Sequence, residues 1–201
     1  MPRPYSMANR VQAVEETRRR IVEATVRLHA EKGVLDTSIA DIAARADVAI
    51  GTVYRHFQTI EDLVVACGRA VLDLASPPKP ELLARLDSLE DRVLCLFESY
   101  CDVYSRLQAA GMDHSALRYE ASKMRPLADW FEAWDRQHEA LVREALGARS
   151  EHLQAVSVLV MLSAWDSWRS LTSRGLSSEA TARLLADIAL RWLDKETEVM
   201  S

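Results

Sequence analysis

Glycine and proline are scarce in this chain of 201 residues, six of each. A sandwich or barrel needs many tight turns, so the shortage favours helices. Cysteine is scarcer still: Cys67, Cys95 and Cys101, with no C-x-x-C spacing. That excludes a disulfide-rich secreted scaffold. The first twenty residues lack an apolar core of signal-peptide length. The longest nearly apolar stretch, Ala155 to Trp165, is interrupted by Ser157 and Ser163, and it falls well short of the roughly 20 residues that span a bilayer. The expectation is a soluble cytoplasmic protein. No repeat, low-complexity tract or alternating strand pattern appears. The net charge is only −5, so the whole molecule is no obvious polyanion binder. Its distribution says more. Residues 1–60 hold nine basic against seven acidic residues, and residues 61–201 hold sixteen against twenty-three. The only net-positive part lies at the N-terminus.

What is present is helical periodicity. Residues 1–14 open with two prolines and show none, which predicts a flexible arm. From Glu15 the pattern turns helical: Ile21, Ala24, Thr25, Leu28 and His29 share a face, and Lys32-Gly33 gives a stop signal. Thr37 or Ser38 can cap a second helix over 39–46, with Asp41 early in it where an acid suits the dipole. After a turn at Asp47-Val48-Ala49 a third short helix runs from Ile50 to about Phe57. A fourth starts near Ile60. Ser76-Pro77-Pro78-Lys79-Pro80 cannot continue a helix and marks a domain boundary. Beyond it helices are expected over 81–108, 113–122, 126–146, 150–174 and 178–195. The fold class is all-α, with a small N-terminal helix-turn-helix bundle over 15–75 and a larger C-terminal bundle over 76–201.

A helix that enters the major groove must be thin and polar where it meets bases and apolar where it returns to its core. Residues 49–57 meet that need. Val53 and Phe57, i and i+4, anchor the helix inward. Thr52, Arg55 and His56 are polar, Gly51 permits close approach, and Tyr54 places a hydroxyl suited to a phosphate oxygen. The plain alternative is a helical hairpin in a bundle, but period alone does not select Gly51-Thr52, Tyr54 and Phe57 together.

The stretch from Thr37 to Leu63, TSIADIAARADVAIGTVYRHFQTIEDL, resembles the DNA-binding domain of the TetR (tetracycline-repressor-like) family, and Arg20 through Gly33 looks like that family's first helix. The resemblance covers residues 15–75; beyond them only length and helical layout match. It implies a homodimer, formed through the last two helices, that binds a palindromic double-stranded operator and leaves it when a small apolar or amphipathic effector enters the C-terminal domain. Carried over position by position, Thr37 and Ser38 fall where the family contacts phosphate. Ala49, Ile50, Gly51 and Thr52 open the recognition helix, and Tyr54 and His56 take backbone-contacting positions. Arg55 is the candidate base contact, since a guanidinium pairs bidentately with guanine. Three positions depart from the pattern. Asp47 replaces a usual glycine, Ala49 a usual Ser or Thr, and Ile60 a usual lysine. Arg18–Arg20, Arg45 or the arm with Arg3 and Arg10 would then supply the missing phosphate contacts.

Aromatic and sulfur-bearing residues gather in the C-terminal part. Phe97, Cys101, Tyr104, Tyr119, Met124, Trp130, Trp134, Met161, Trp165 and Trp168 are candidate linings for an apolar ligand pocket, with ordinary core packing as the alternative. No cofactor or metal is implied. Asp135 and His138-Glu139 lack the second Glu-x-x-His that a di-metal bundle needs, and no serine sits in a Gly-x-Ser-x-Gly elbow, so the chain does not read as an enzyme. A rival reading makes it a helical dimer that engages a protein partner instead of DNA, since Ala49 and Ile60 lack the usual polar groups.

Overall fold

The computed structural model describes the backbone of residues 7–199 and the side chains of residues 10–195. The described residues contain helices and no strand, as the all-α reading requires. They form two compact units, Met1–Asp73 with Gly111–Trp130, and Leu74–Ala110 with Phe131–Ser201.

The first unit begins with α1 (Met7–Lys32), which packs on α2 (Ile39–Ala46), while α2 packs on α3 (Ile50–His56). Helix α4 (Ile60–Ala75) follows. Each boundary has a chemical cause. Ser38 and Asp41 form a reciprocal capping box at the start of α2, which satisfies two otherwise orphaned amides. Asp47 ends α2 in the left-handed conformation, φ 52° and ψ 56°, and its N–H reaches the carbonyls of Ala43 and Ala44. Thr59 and Asp62 cap α4 the same way. The core between these helices holds Ile21, Leu28, Ile42, Val53, Phe57 and Leu63.

Two expectations are corrected here. Helix α1 starts at Met7 rather than near Glu15, so residues 7–14 of the expected arm are helical. Met7 to Val14 contain no glycine or proline and several good helix formers, and both prolines of the arm precede them. Residues 1–6, including Arg3, lie outside the described residues. The division at residue 76 is also too simple, because residues 111–130 belong with the first unit. That segment contains α7 (His114–Ala121) and the start of α8 (Arg125–Leu146). Glu120 of α7 accepts the backbone N–H groups of Val34 (2.9 Å) and Leu35 (3.3 Å), just past the end of α1. A Cβ on Gly68 would meet the Trp130 ring at 2.6 Å. These contacts join positions some 60 to 90 residues apart, a separation that helical period cannot report.

The second unit contains α5 (Pro80–Leu83), α6 (Leu89–Ala109), the rest of α8, a 3₁₀ turn at Gly147–Glu151, α9 (Leu153–Leu162), α10 (Trp165–Thr172) and α11 (Ser178–Val199). Helix α6 lies against α11. The helix expected over 81–108 is two pieces, divided where Ser88 caps α6 by accepting from the Asp91 amide. The helix expected over 150–174 is likewise divided, at Ser163-Ala164. There Tyr104 donates its hydroxyl to the Ser163 carbonyl at 3.0 Å, Ser163 Oγ donates to the Leu159 carbonyl at 2.6 Å, and Ala164 turns extended. No glycine or proline marks that break, so nothing local predicts it.

Candidate nucleic-acid interface

Helix α3 is built as its sequence pattern requires. Val53 is fully buried and Phe57 nearly so, while Ile50 and Tyr54 remain 49% and 51% exposed. Gly51 and Arg55 are exposed, and Thr52 and His56 are half-buried. A Cβ added to Gly51 would meet nothing within 4 Å, so this face is clear for a close approach. Ala49 is the N-cap of α3 and provides no side-chain hydrogen bond. The absent hydroxyl leaves the first amides of α3 without a side-chain cap from that position. Ile60, at the start of α4, is 38% exposed.

Several of the other expected contacts are engaged within the chain. Thr37 is buried, and its hydroxyl donates to the Gly33 carbonyl at 2.7 Å; the geometry gives it to the α1–α2 corner rather than to phosphate. Ser38 is exposed but donates to Asp41 Oδ2 at 2.5 Å. Arg45 forms a bidentate pair with Glu31, both contacts at 2.7 Å, so its charge is compensated. Among the α1 arginines, Arg18 lies over the Phe57 ring at 4.9 Å, Arg19 is held by Glu16 and Glu23, and Arg20 reaches the Asp47 carbonyl. Lys32 pairs with Asp41 at 2.7 Å.

The electrostatics of the face follow from these pairings. Lys32 and Ser38, by hydrogen bonding to the Asp41 carboxylate, hold it well below the usual range. Burial, followed by the nearby guanidinium groups of Arg55 and Arg18, pushes His56 below its ordinary value, with Glu15 opposing. The shift favours the neutral imidazole of His56, beside the exposed Arg55 guanidinium at the end of α3.

The ten residues expected to line a ligand pocket do not form one set. Tyr119, Met124 and Trp130 belong to the first unit, and Tyr119 is 66% exposed. Phe97, Cys101, Tyr104, Trp134, Trp165 and Trp168 are buried in the second unit, whereas Met161 is 58% exposed. Ring contacts link the buried group: Tyr104 meets Trp165 edge-on at 5.5 Å, and Trp165 lies 5.0 Å from Trp168. Sequence reasoning missed the polar partners inside this aromatic core. His138 Nε2 is 2.7 Å from Ser163 Oγ, and Trp168 donates to Ser178 Oγ at 2.9 Å. Since the Ser163 hydroxyl hydrogen goes to Leu159, His138 is the donor to Ser163. The thiols of Cys67 and Cys101 are buried and pushed up to about 12 by that burial, so they are packing groups rather than nucleophiles.

Comparison with known proteins agrees with the local architecture. Residues 21–67 match the family model for "Bacterial regulatory proteins, tetR family". The HTH-type transcriptional regulator HbdR of Aromatoleum sp. (strain CIB) is 30% identical over 110 residues, covering 55% of this chain and 46% of that protein. The chain thus spans about half the length of that relative. The HTH-type transcriptional repressor KstR of Mycolicibacterium smegmatis is 26% identical, with 90% of this chain and 89% of that protein covered. The solved structure of multidrug binding protein EbrR, complexed with imidazole, superposes with a TM-score of 0.56 at 23% identity, covering 93% of both chains. That last likeness concerns the fold. HbdR and KstR are transcriptional regulators rather than enzymes, and they lend no support to the protein-partner alternative.

Proposed function

We propose that this chain, whose residues 21–67 match the tetR family of bacterial regulatory proteins, is a repressor that binds a palindromic operator as a homodimer and releases it on binding a small apolar or amphipathic effector. The observation that carries this reading is α3. Its inward side is sealed by Val53 and Phe57, and its outward side offers Gly51, Tyr54 and Arg55 with open space in front of the backbone. Arg55 is the proposed base reader. Ser38, Ala49, Ile50, Thr52, Tyr54 and His56 border the phosphates, and Thr37 and Arg45 support them from behind through Gly33 and Glu31.

Exposed apolar side chains on α9 and α11, namely Leu153, Met161, Leu184 and Ile188, support a subunit interface on those helices. Patches of this kind on a soluble domain ordinarily mark an interaction surface. For the effector, the aromatic core of the second unit supplies ring faces together with hydrogen-bonding edges at His138, Ser163 and Ser178. The chemistry suits an amphipathic molecule. The effector shifts the dimer to a state in which the two recognition helices no longer match half-sites about 34–36 Å apart. An effective switch of this kind needs a preference of several kcal/mol between the states.

Selection of bound duplexes from a random DNA pool tests the reading. A two-fold symmetric consensus supports it. Recovery of duplexes without any common sequence would overturn it.

A further inference from the structure

The first unit contains a cleft of about 420 Å³ between the end of α1 and α7. That volume is ordinary for a small-molecule site, and the cleft shares no lining residue with the aromatic core of the second unit. Leu35, Met112 and Leu117 give it apolar walls. Its charges are unequal. Glu31 and Lys32 on the lining are each paired, with Arg45 and Asp41. Three further lining carboxylates have no basic partner among the described residues. Asp36 is exposed, Asp113 accepts the amides of Ser115 and Ala116, and Glu120 accepts those of Val34 and Leu35. A concave surface with an excess of one sign of charge concentrates the opposite ion. The remaining cation of the lining, Lys123, lies over the Tyr119 ring with Nζ 4.2 Å from its centroid, and donates to the Tyr119 hydroxyl at 3.0 Å. The chain's own ammonium therefore occupies an aromatic face of the kind that holds cations. His29 also lines the cleft and makes no side-chain hydrogen bond among the described residues. Burial lowers it to about 4, so its neutral ring offers a nitrogen that can accept from an N–H donor.

We propose that this cleft is a small-molecule site of its own, and that it takes small organic cations: a protonated amine carried on an apolar or aromatic body. The apolar body packs on Met112 and Leu117, and the ammonium meets the carboxylate excess, the Tyr119 ring and the His29 nitrogen. An anion would face three carboxylates without basic partners against a single ammonium. The site goes beyond the operator-binding reading and does not depend on it, nor on the effector proposed for the second unit. Lys123 is here a tethered competitor for the incoming ammonium. That role gives the test its sign.

The probe is phenethylammonium, with phenethyl alcohol and phenylacetate as its neutral and anionic counterparts, titrated into the isotope-labelled full chain. The ammonium is expected to saturate with a Kd in the millimolar range or tighter, and to shift the backbone amide signals of Val34, Leu35 and Tyr119. It should bind about fivefold more tightly than either counterpart. Lys123→Gln removes the competing charge and should tighten the ammonium complex by about two- to fivefold. Asp36→Asn should weaken it by about the same factor. Both side chains are exposed, so matching thermal melts will confirm that the variants fold. Equal binding of the three probes, no saturable binding, shifts confined to the second unit, or a weaker ammonium complex in Lys123→Gln would each overturn the inference. None of these results bears on operator binding, so the DNA-binding reading stands or falls separately.

Discussion

Asp47 holds a backbone conformation that most L side chains adopt only at a cost. Its φ of 52° closes α2 and sets the direction in which α3 leaves. Aspartate tolerates the left-handed region better than branched residues do, which is why the turn survives without a glycine. Asp47→Val is expected to lower stability by about 1–2 kcal/mol, and Asp47→Gly to change it by less than about 1 kcal/mol, as read from urea midpoints. His29 offers a second test at this scale. Burial lowers it from an ordinary 6.5 to about 4. Between those values the unfolded chain binds a proton that the folded chain does not, so stability rises with pH across that window. It is fully present above pH 6.5 and lost as pH falls towards 4. The loss should be on the order of 3 kcal/mol, and His29→Asn should flatten that part of the stability profile.

At the level of elements, legibility depended on whether a boundary was set locally. The bounds of α2 and the start of α3 could be read because Ser38, Asp41 and Asp47 act on their own neighbours. The inward face of α3 could be read because Val53 and Phe57 repeat at helical spacing. The break between α9 and α10 could not, since Tyr104 and His138 come from other helices to hold Ser163. The same holds for α7, tied to the first unit by Glu120, and for the pairing of Arg45 with Glu31 across fourteen residues. The start of α1 is a different case: its residues were good helix formers, and the prolines before them concealed it. Gly68 tests the packing within the first unit. A methyl there would lie 2.6 Å from the Trp130 ring. Gly68→Ala is therefore expected to cost about 1–3 kcal/mol, even though alanine is the better helix former by about 1 kcal/mol. A calorimetric Tm at or above that of the wild type would contradict the packing.

For the whole molecule the charges are divided by role. Residues 1–60 carry the small basic excess and the remainder carries the acid; a chain of this kind approaches a polyanion with one part only. Several of the basic groups near α3 are paired with acids within the fold, whereas Arg55 is exposed and makes no ion pair among the described residues. In the proposed dimer, two half-sites bound together multiply both affinity and discrimination. The most direct measurement is the affinity of the full chain for the selected palindrome and for a scrambled duplex, across a range of salt, with Arg55→Ala alongside. Two chains are expected per palindrome, with a preference of about a thousandfold or more and a drop of about ten- to a hundredfold in that preference for Arg55→Ala. Equal affinity for the two duplexes at every salt concentration would contradict the proposed operator binding.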